Sequence, residues 1–156
     1  MTNLEADIES AFKYFKDKPA LQKNSKGFVL EGNLHCYVKG YEDMYDIFNV
    51  AITIPLNFPR QLPTVIEKDC KIKRTVKYHM NKNGECCLGT KIALFDYMHS
   101  NKIETFCQFL EQLIIIHFFQ VKYFLTNDEW LEEPEGHFTP GLIDSYKRIF
   151  NITENE

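Results

Sequence analysis

Apolar residues first recur at helical intervals. Leu4, Ile8, Ala11, Phe12 and Phe15 follow Thr2 and Glu5, which have capping-box spacing, until Asp17-Lys18-Pro19 ends the pattern. This predicts an amphipathic N-terminal helix that covers one face of a sheet. From Phe28 the period becomes two: Phe28, Leu30, Leu34, Cys36 and Val38 share one face with Gly32 in step, while Glu31, Asn33, His35 and Lys39 share the other. Gly40-Tyr41-Glu42-Asp43 reads as a turn, and Phe48, Val50, Ile52 and Ile54 give a second half-buried strand, so the two are expected to pair antiparallel. His35 and Cys36 are then ordinary strand residues.

Pro55, Pro59 and Pro63 each lack a backbone donor, so they mark an extended connection into a short strand near Thr64 to Glu67. The segment from Lys68 to Asn101 has no clear period and is the place for a functional loop. Beyond it, Ile103, Phe106, Cys107, Leu110, Leu113, Ile114, His117, Phe118, Val121 and Phe124 repeat at three and four, which predicts a deeply packed helix. Cys107 and His117 fall on its apolar face, as a core cysteine and a hydrogen-bonded histidine. Asn127 to Gly136 is an acidic connection, and Thr139-Pro140 opens a last helix with Leu142, Ile143, Tyr146, Ile149 and Phe150 inward. The class is α+β: an N-terminal helix, an antiparallel meander of about four strands, an active-site loop and C-terminal helices.

Composition narrows this picture. With 156 residues the chain fits one domain, 1–156, with residues 151–156 expected as a disordered tail. Net charge is −4, so no global basic field holds a nucleic-acid backbone. Locally, Lys71, Lys73, Arg74, Lys77 and Lys82 form a basic run that reads as a solvated face or as a docking patch for an acidic partner. Five cysteines without regular spacing and without a signal peptide point to free thiols in a reducing, cytoplasmic compartment. The most apolar run, Leu113 to Leu125, contains His117, Gln120 and Lys122 and is too short to span a bilayer, so no membrane partner is expected.

The chemistry concentrates in Tyr78-His79-Met80-Asn81-Lys82-Asn83-Gly84-Glu85-Cys86-Cys87-Leu88-Gly89. A cysteine acts as an acyl nucleophile when its thiolate is exposed and stabilised, and a nearby donor must meet the oxyanion on the attacked carbonyl. His79 and Asn81 supply polar groups, and Asn83-Gly84 supplies a turn. Zinc is disfavoured because vicinal thiols point apart and only His79 is close in sequence. A cysteine hydrolase would draw its histidine from His79, His99 or His137, the last in the acidic Glu132–His137 run that could fold back over the cysteine.

The segment resembles the active-site region of ubiquitin-conjugating (UBC-like) enzymes through His79, Asn81, Gly84, Cys87 and Leu88, with Cys87 and not Cys86 in the nucleophile's register. Upstream, Ile54-Pro55 through Pro59 and Pro63 to Val65 is similar to the same family's strand-end pattern. Met80 stands where the family has proline, the Asn81-to-Cys87 spacing is about two residues shorter, and the tryptophan after the cysteine is missing. These departures resemble the divergent bacterial branch, some members of which are encoded in anti-phage systems beside cyclic-nucleotide synthases. The resemblance implies a UBC-like fold and an N-terminal helix that meets an activating enzyme. It also implies a thioester on Cys87 to the C-terminus of a ubiquitin-like or other carried protein, and transfer of that protein to an amine. Catalytic roles then fall to Cys87, Asn81 and His79, with no metal or nucleotide cofactor. Partners would be the activating enzyme, the carried protein and, by analogy, a cyclic-nucleotide synthase. A non-catalytic adaptor of the same fold is the competing reading.

Overall fold

A computed structural model of the chain describes residues 3–131. The N-terminal helix α1 (Asn3–Ser10) runs into a 3-10 turn (Ala11–Tyr14) and seals Ile8 and Ala11. Four antiparallel strands follow in sequence order: β1 (Ala20–Asn24), β2 (Gly27–Cys36), β3 (Asp46–Pro55) and β4 (Thr64–Glu67). The meander and the inward sets of β2 and β3 agree with the alternation: Phe28, Leu30, Leu34, Cys36, Phe48, Val50, Ile52 and Ile54 are all buried. Leu30 lies opposite Ile52 and Leu34 opposite Phe48, so the register keeps both apolar sets on one face.

The helical layer lies against that face. The continuous helical stretch begins at α3 (Phe106–Phe109), passes through a five-residue π turn (Leu110–Ile114) and continues as α4 (Ile115–Asn127). Thr105 and Gln108 form a capping box, and the carboxylate of Asp7 accepts from the N–H groups of Phe106 and Cys107, which ties α1 to the start of α3. Phe118 stacks on Phe48 at 4.6 Å between ring centres, and Phe58 meets Phe106 and Phe109 edge-on. Burial of each such aromatic ring contributes roughly 1.5–3 kcal/mol.

Several sequence expectations change. β1 was not located by the periodicity; four of its five residues are exposed and only Leu21 packs partly inward. The segment from Lys68 to Asn101 is not one loop, because it holds α2 (Lys91–Ser100), capped by Thr90 and burying only Ala93, Leu94 and Met98. Cys107 is half-buried and not a core cysteine. His117 is buried, but its Nε2 has no hydrogen-bond partner, against the expected hydrogen-bonded histidine. The last predicted helix and the Glu132–His137 run lie outside the described residues.

Candidate functional site

The segment read as an active-site loop folds as a short hairpin attached to the open edge of β4. Asn81 N–H donates to Glu85 O at 2.8 Å, Gly84 N–H donates to Asn81 O at 2.9 Å, and Cys87 N–H donates to His79 O at 2.7 Å. The Asn83 carboxamide oxygen accepts from Glu85 N–H at 3.0 Å. A three-residue hairpin loop of this kind needs a positive φ at its last position, and Gly84 supplies it at φ 87. On the other side, Cys86 N–H donates to Val65 O at 2.8 Å and Gly84 O accepts from Glu67 N–H at 3.0 Å. Gly84 to Cys86 therefore lengthens the sheet by one short rung beyond β4.

This pairing decides which thiol faces which way. Met80 and Cys86 lie opposite each other and both turn inward, with 1% and 6% of their surface exposed. Of the neighbouring residues, Cys87 and His79 are half-buried and Asn81 is exposed. The hairpin brings the three sequence-predicted site residues close along its ladder, with Cys87 opposite His79 and Asn81 diagonally across from Cys87. Burial, reinforced by the Glu67 and Glu85 carboxylates, pushes the Cys86 thiol far above the usual thiol range, so it stays protonated. Among the described residues no thiol is in a disulfide, and no group of three or more His, Cys, Asp or Glu is placed to hold a metal ion.

His79 ends a 3-10 turn (Val76–Tyr78) in the left-handed region at φ 53. Its ring lies edge-on to Trp130 at 5.4 Å, Trp130 stacks on Phe124 at 4.5 Å, and Phe124 meets Tyr78 at 5.9 Å. The hairpin is thereby held against the C-terminal end of α4. His99 sits exposed on α2, and no contact brings it to this cluster among the described residues.

Three buried side-chain atoms of the described residues lack a hydrogen-bond partner: Glu67 Oε2, Arg74 Nε and His117 Nε2. Glu67 and Arg74 adjoin the hairpin. Glu67 is bonded to Gly84 through its N–H, and the Arg74 guanidinium lies so close under Gly84 that a Cβ there would stand 2.9 Å from it. His117 is within electrostatic reach of His79, and burial first, then that neighbour, pushes its imidazole down to about 3. Sequence reasoning missed this set of groups, since Glu67 read as a strand end and Arg74 as part of a solvated run. That run is in fact divided: Lys71 pairs with Asp46, and Arg74 packs inward. Lys73, Lys77 and Lys82 remain exposed.

No protein-family model matches the chain, and comparison with curated proteins and with solved structures likewise finds no match.

Proposed function

We propose that the chain is a ubiquitin-conjugating-like acyl carrier that holds the C-terminus of another protein as a thioester on Cys87 and passes it to an amine. The observation that carries this reading is the division of the vicinal thiols: the hairpin seals Cys86 as a protonated thiol and leaves Cys87 half-buried, across the ladder from His79. The order of helix, four-strand sheet, site segment and helices is also the order that the sequence resemblance implies. No described helix is long and apolar enough to cross a membrane.

In the proposed reaction the Cys87 thiolate attacks a thioester carbonyl, the carbonyl oxygen becomes an oxyanion, and the donor thiolate leaves as the new thioester forms. An amine then attacks that thioester, Cys87 leaves as thiolate, and the amine nitrogen gives up a proton to solvent or to a base. The backbone N–H groups of Cys87 and Asn81 are both committed within the hairpin, so neither is available to the oxyanion. The donor in this reading is the exposed Asn81 carboxamide, which can donate a hydrogen bond but cannot accept a proton at neutral pH. His79 holds the Cys87 strand through its carbonyl and braces the hairpin on Trp130.

The test uses a short peptide α-thioester as acyl donor and free lysine as acceptor. The expected result is a thiol-sensitive peptide adduct mapped to Cys87 that lysine discharges, a stable oxyester in Cys87→Ser, and an unchanged thioester in Cys86→Ser. Adduct on the exposed Cys70 but not on Cys87 would contradict the assignment. The absence of any thiol-sensitive adduct would favour a binding adaptor.

A further inference from the structure

The loop of the hairpin carries a reaction of its own. Asn83-Gly84 is the single Asn-Gly pair in the chain. In such a pair the glycine nitrogen reaches the asparagine side-chain carbon unhindered, because no Cβ stands beside it. The Gly84 nitrogen attacks Asn83 Cγ, a five-membered imide closes, and the carboxamide nitrogen leaves as ammonia, taking up the proton that the backbone nitrogen gives up. Water then opens the imide at either carbonyl. One opening gives aspartate, and the other gives isoaspartate, whose main chain runs through Cβ and is one atom longer. The sum is asparagine plus water to an acid plus ammonia, so no cofactor or redox partner is consumed.

The closed hairpin holds both reacting groups back from this step. Gly84 N–H donates to Asn81 O at 2.9 Å and Gly84 O accepts from Glu67 N–H at 3.0 Å, which fixes the peptide planes before and after the glycine. Gly84 is buried, and the Arg74 guanidinium lies 2.9 Å from where a Cβ would stand, so the glycine has no room to turn its nitrogen. The Asn83 carboxamide is held at both ends: its oxygen accepts from Glu85 N–H at 3.0 Å and its nitrogen donates to Glu85 Oε2 at 3.4 Å. Asn83 itself is exposed, so water is at hand and the restraint is conformational. We infer that Asn83 is a modification site gated by the hairpin: it keeps its ammonia while the hairpin is closed, loses it when the hairpin opens, and as isoaspartate prevents the hairpin from closing again. The extra main-chain atom of isoaspartate falls inside the three-residue loop that the Asn81 and Gly84 N–H groups close. Either product also sets a carboxylate against that of Glu85 where Asn83 placed a donor. The inference does not depend on the chemistry proposed for Cys87, since it concerns the loop that seats Cys86 and not what Cys87 carries.

The test follows the full chain at mildly alkaline pH by peptide mapping, reading the mass shift from amide to acid at Asn83 in the native chain and in the chain unfolded by guanidinium chloride. Conversion is expected to be slower in the native chain by roughly tenfold or more, since only the open fraction reacts. Arg74→Ala is expected to speed the native conversion and to leave the unfolded rate unchanged. Refolded chains with isoaspartate at position 83 are expected to leave Cys86 open to limiting iodoacetamide, while Cys36, in the core with 1% of its surface exposed, stays sealed. Equal rates in the native and unfolded chains would overturn the inference, as would an Arg74→Ala chain that converts no faster than the native one. Refolded isoaspartate chains that seal Cys86 as the unmodified chain does, or that expose Cys36 as well, would contradict the effect on the hairpin.

Discussion

Along β2 and β3 the inward side chains are apolar and sealed, the partners across the ladder are regular, and the Phe48–Phe118 stack joins sheet to helix. The hairpin at residues 79–87 lies one rung beyond the edge of the same sheet, yet it is flanked by a carboxylate and a guanidinium, and lies within electrostatic reach of the His117 imidazole, each of which buries an atom without a partner. An unpaired buried polar group costs about 1–3 kcal/mol. The sheet therefore supplies stability, and the hairpin gives some of it up to hold two adjacent thiols in different environments. Under the proposed function the two constructions suit two tasks: a core needs only shape and apolarity, whereas a reactive thiol needs polar neighbours and an edge.

The largest expected effect comes from breaking the sheet side. Phe118→Ala removes the ring stacked on Phe48 and should lower stability by about 3–5 kcal/mol in urea denaturation. A loss below about 1 kcal/mol would mean that the helix is not the sheet's main cover.

On the hairpin side, Asn81→Ala should leave folding and loading of Cys87 intact while slowing discharge to lysine on the order of a hundredfold. Equal loss in both steps, or in neither, would remove the oxyanion role. Gly84→Ala comes next, because it forces a side chain onto a backbone at φ 87 and against Arg74. It should destabilise by about 1–2 kcal/mol. Arg74→Ala in the same chain should recover the part due to the clash and none of the part due to the backbone, which a double-mutant cycle separates.

The smallest effect sharpens the contrast through pH. Since the native imidazole of His117 titrates near 3, below an ordinary histidine at about 6.5, the unfolded chain binds a proton that the folded chain refuses across that interval. The contribution of neutral His117 to stability is thus fully present above pH ~6.5 and is lost as pH falls towards 3, with a slope approaching about 1.4 kcal/mol per unit. His117→Leu should flatten that slope and, by removing an unpartnered imidazole, raise stability near pH 7 by about 1 kcal/mol. Urea midpoints at pH 7 and pH 5 decide it; an unchanged slope would mean that acid acts elsewhere.

How far the chain could be read from its residues follows the same division. β2 and β3 were legible because one face is sealed and period-two alternation records it, and β4 because Pro55, Pro59 and Pro63 mark the connection that leads into it. β1 was not, since it is an edge strand whose only partly buried residue is Leu21, and nothing in Ala20–Asn24 needs an apolar face. α2 escaped for a different reason: beside the buried Ala93, Leu94 and Met98, the large apolar residues Phe95 and Tyr97 are exposed, so no single face stands out, and its clearest signal was the N-cap at Thr90. In the site, the order His79, Asn81, Gly84, Cys87 was readable as a motif, and Gly84 as a turn. The inward rotation of Cys86 depends on which edge the hairpin joins. The burial of Glu67, Arg74 and His117 depends on contacts between segments far apart in sequence, which local pattern does not record.

The central claim is that one hairpin makes two adjacent thiols unlike, and competitive alkylation of the native chain measures it directly. With limiting iodoacetamide at pH 7.5 and peptide mapping, Cys87 should be modified while Cys86, with 6% of its surface exposed, stays unmodified until the chain is unfolded in urea. Modification of Cys86 in the folded chain at a rate equal to or above that of Cys87 would contradict the account.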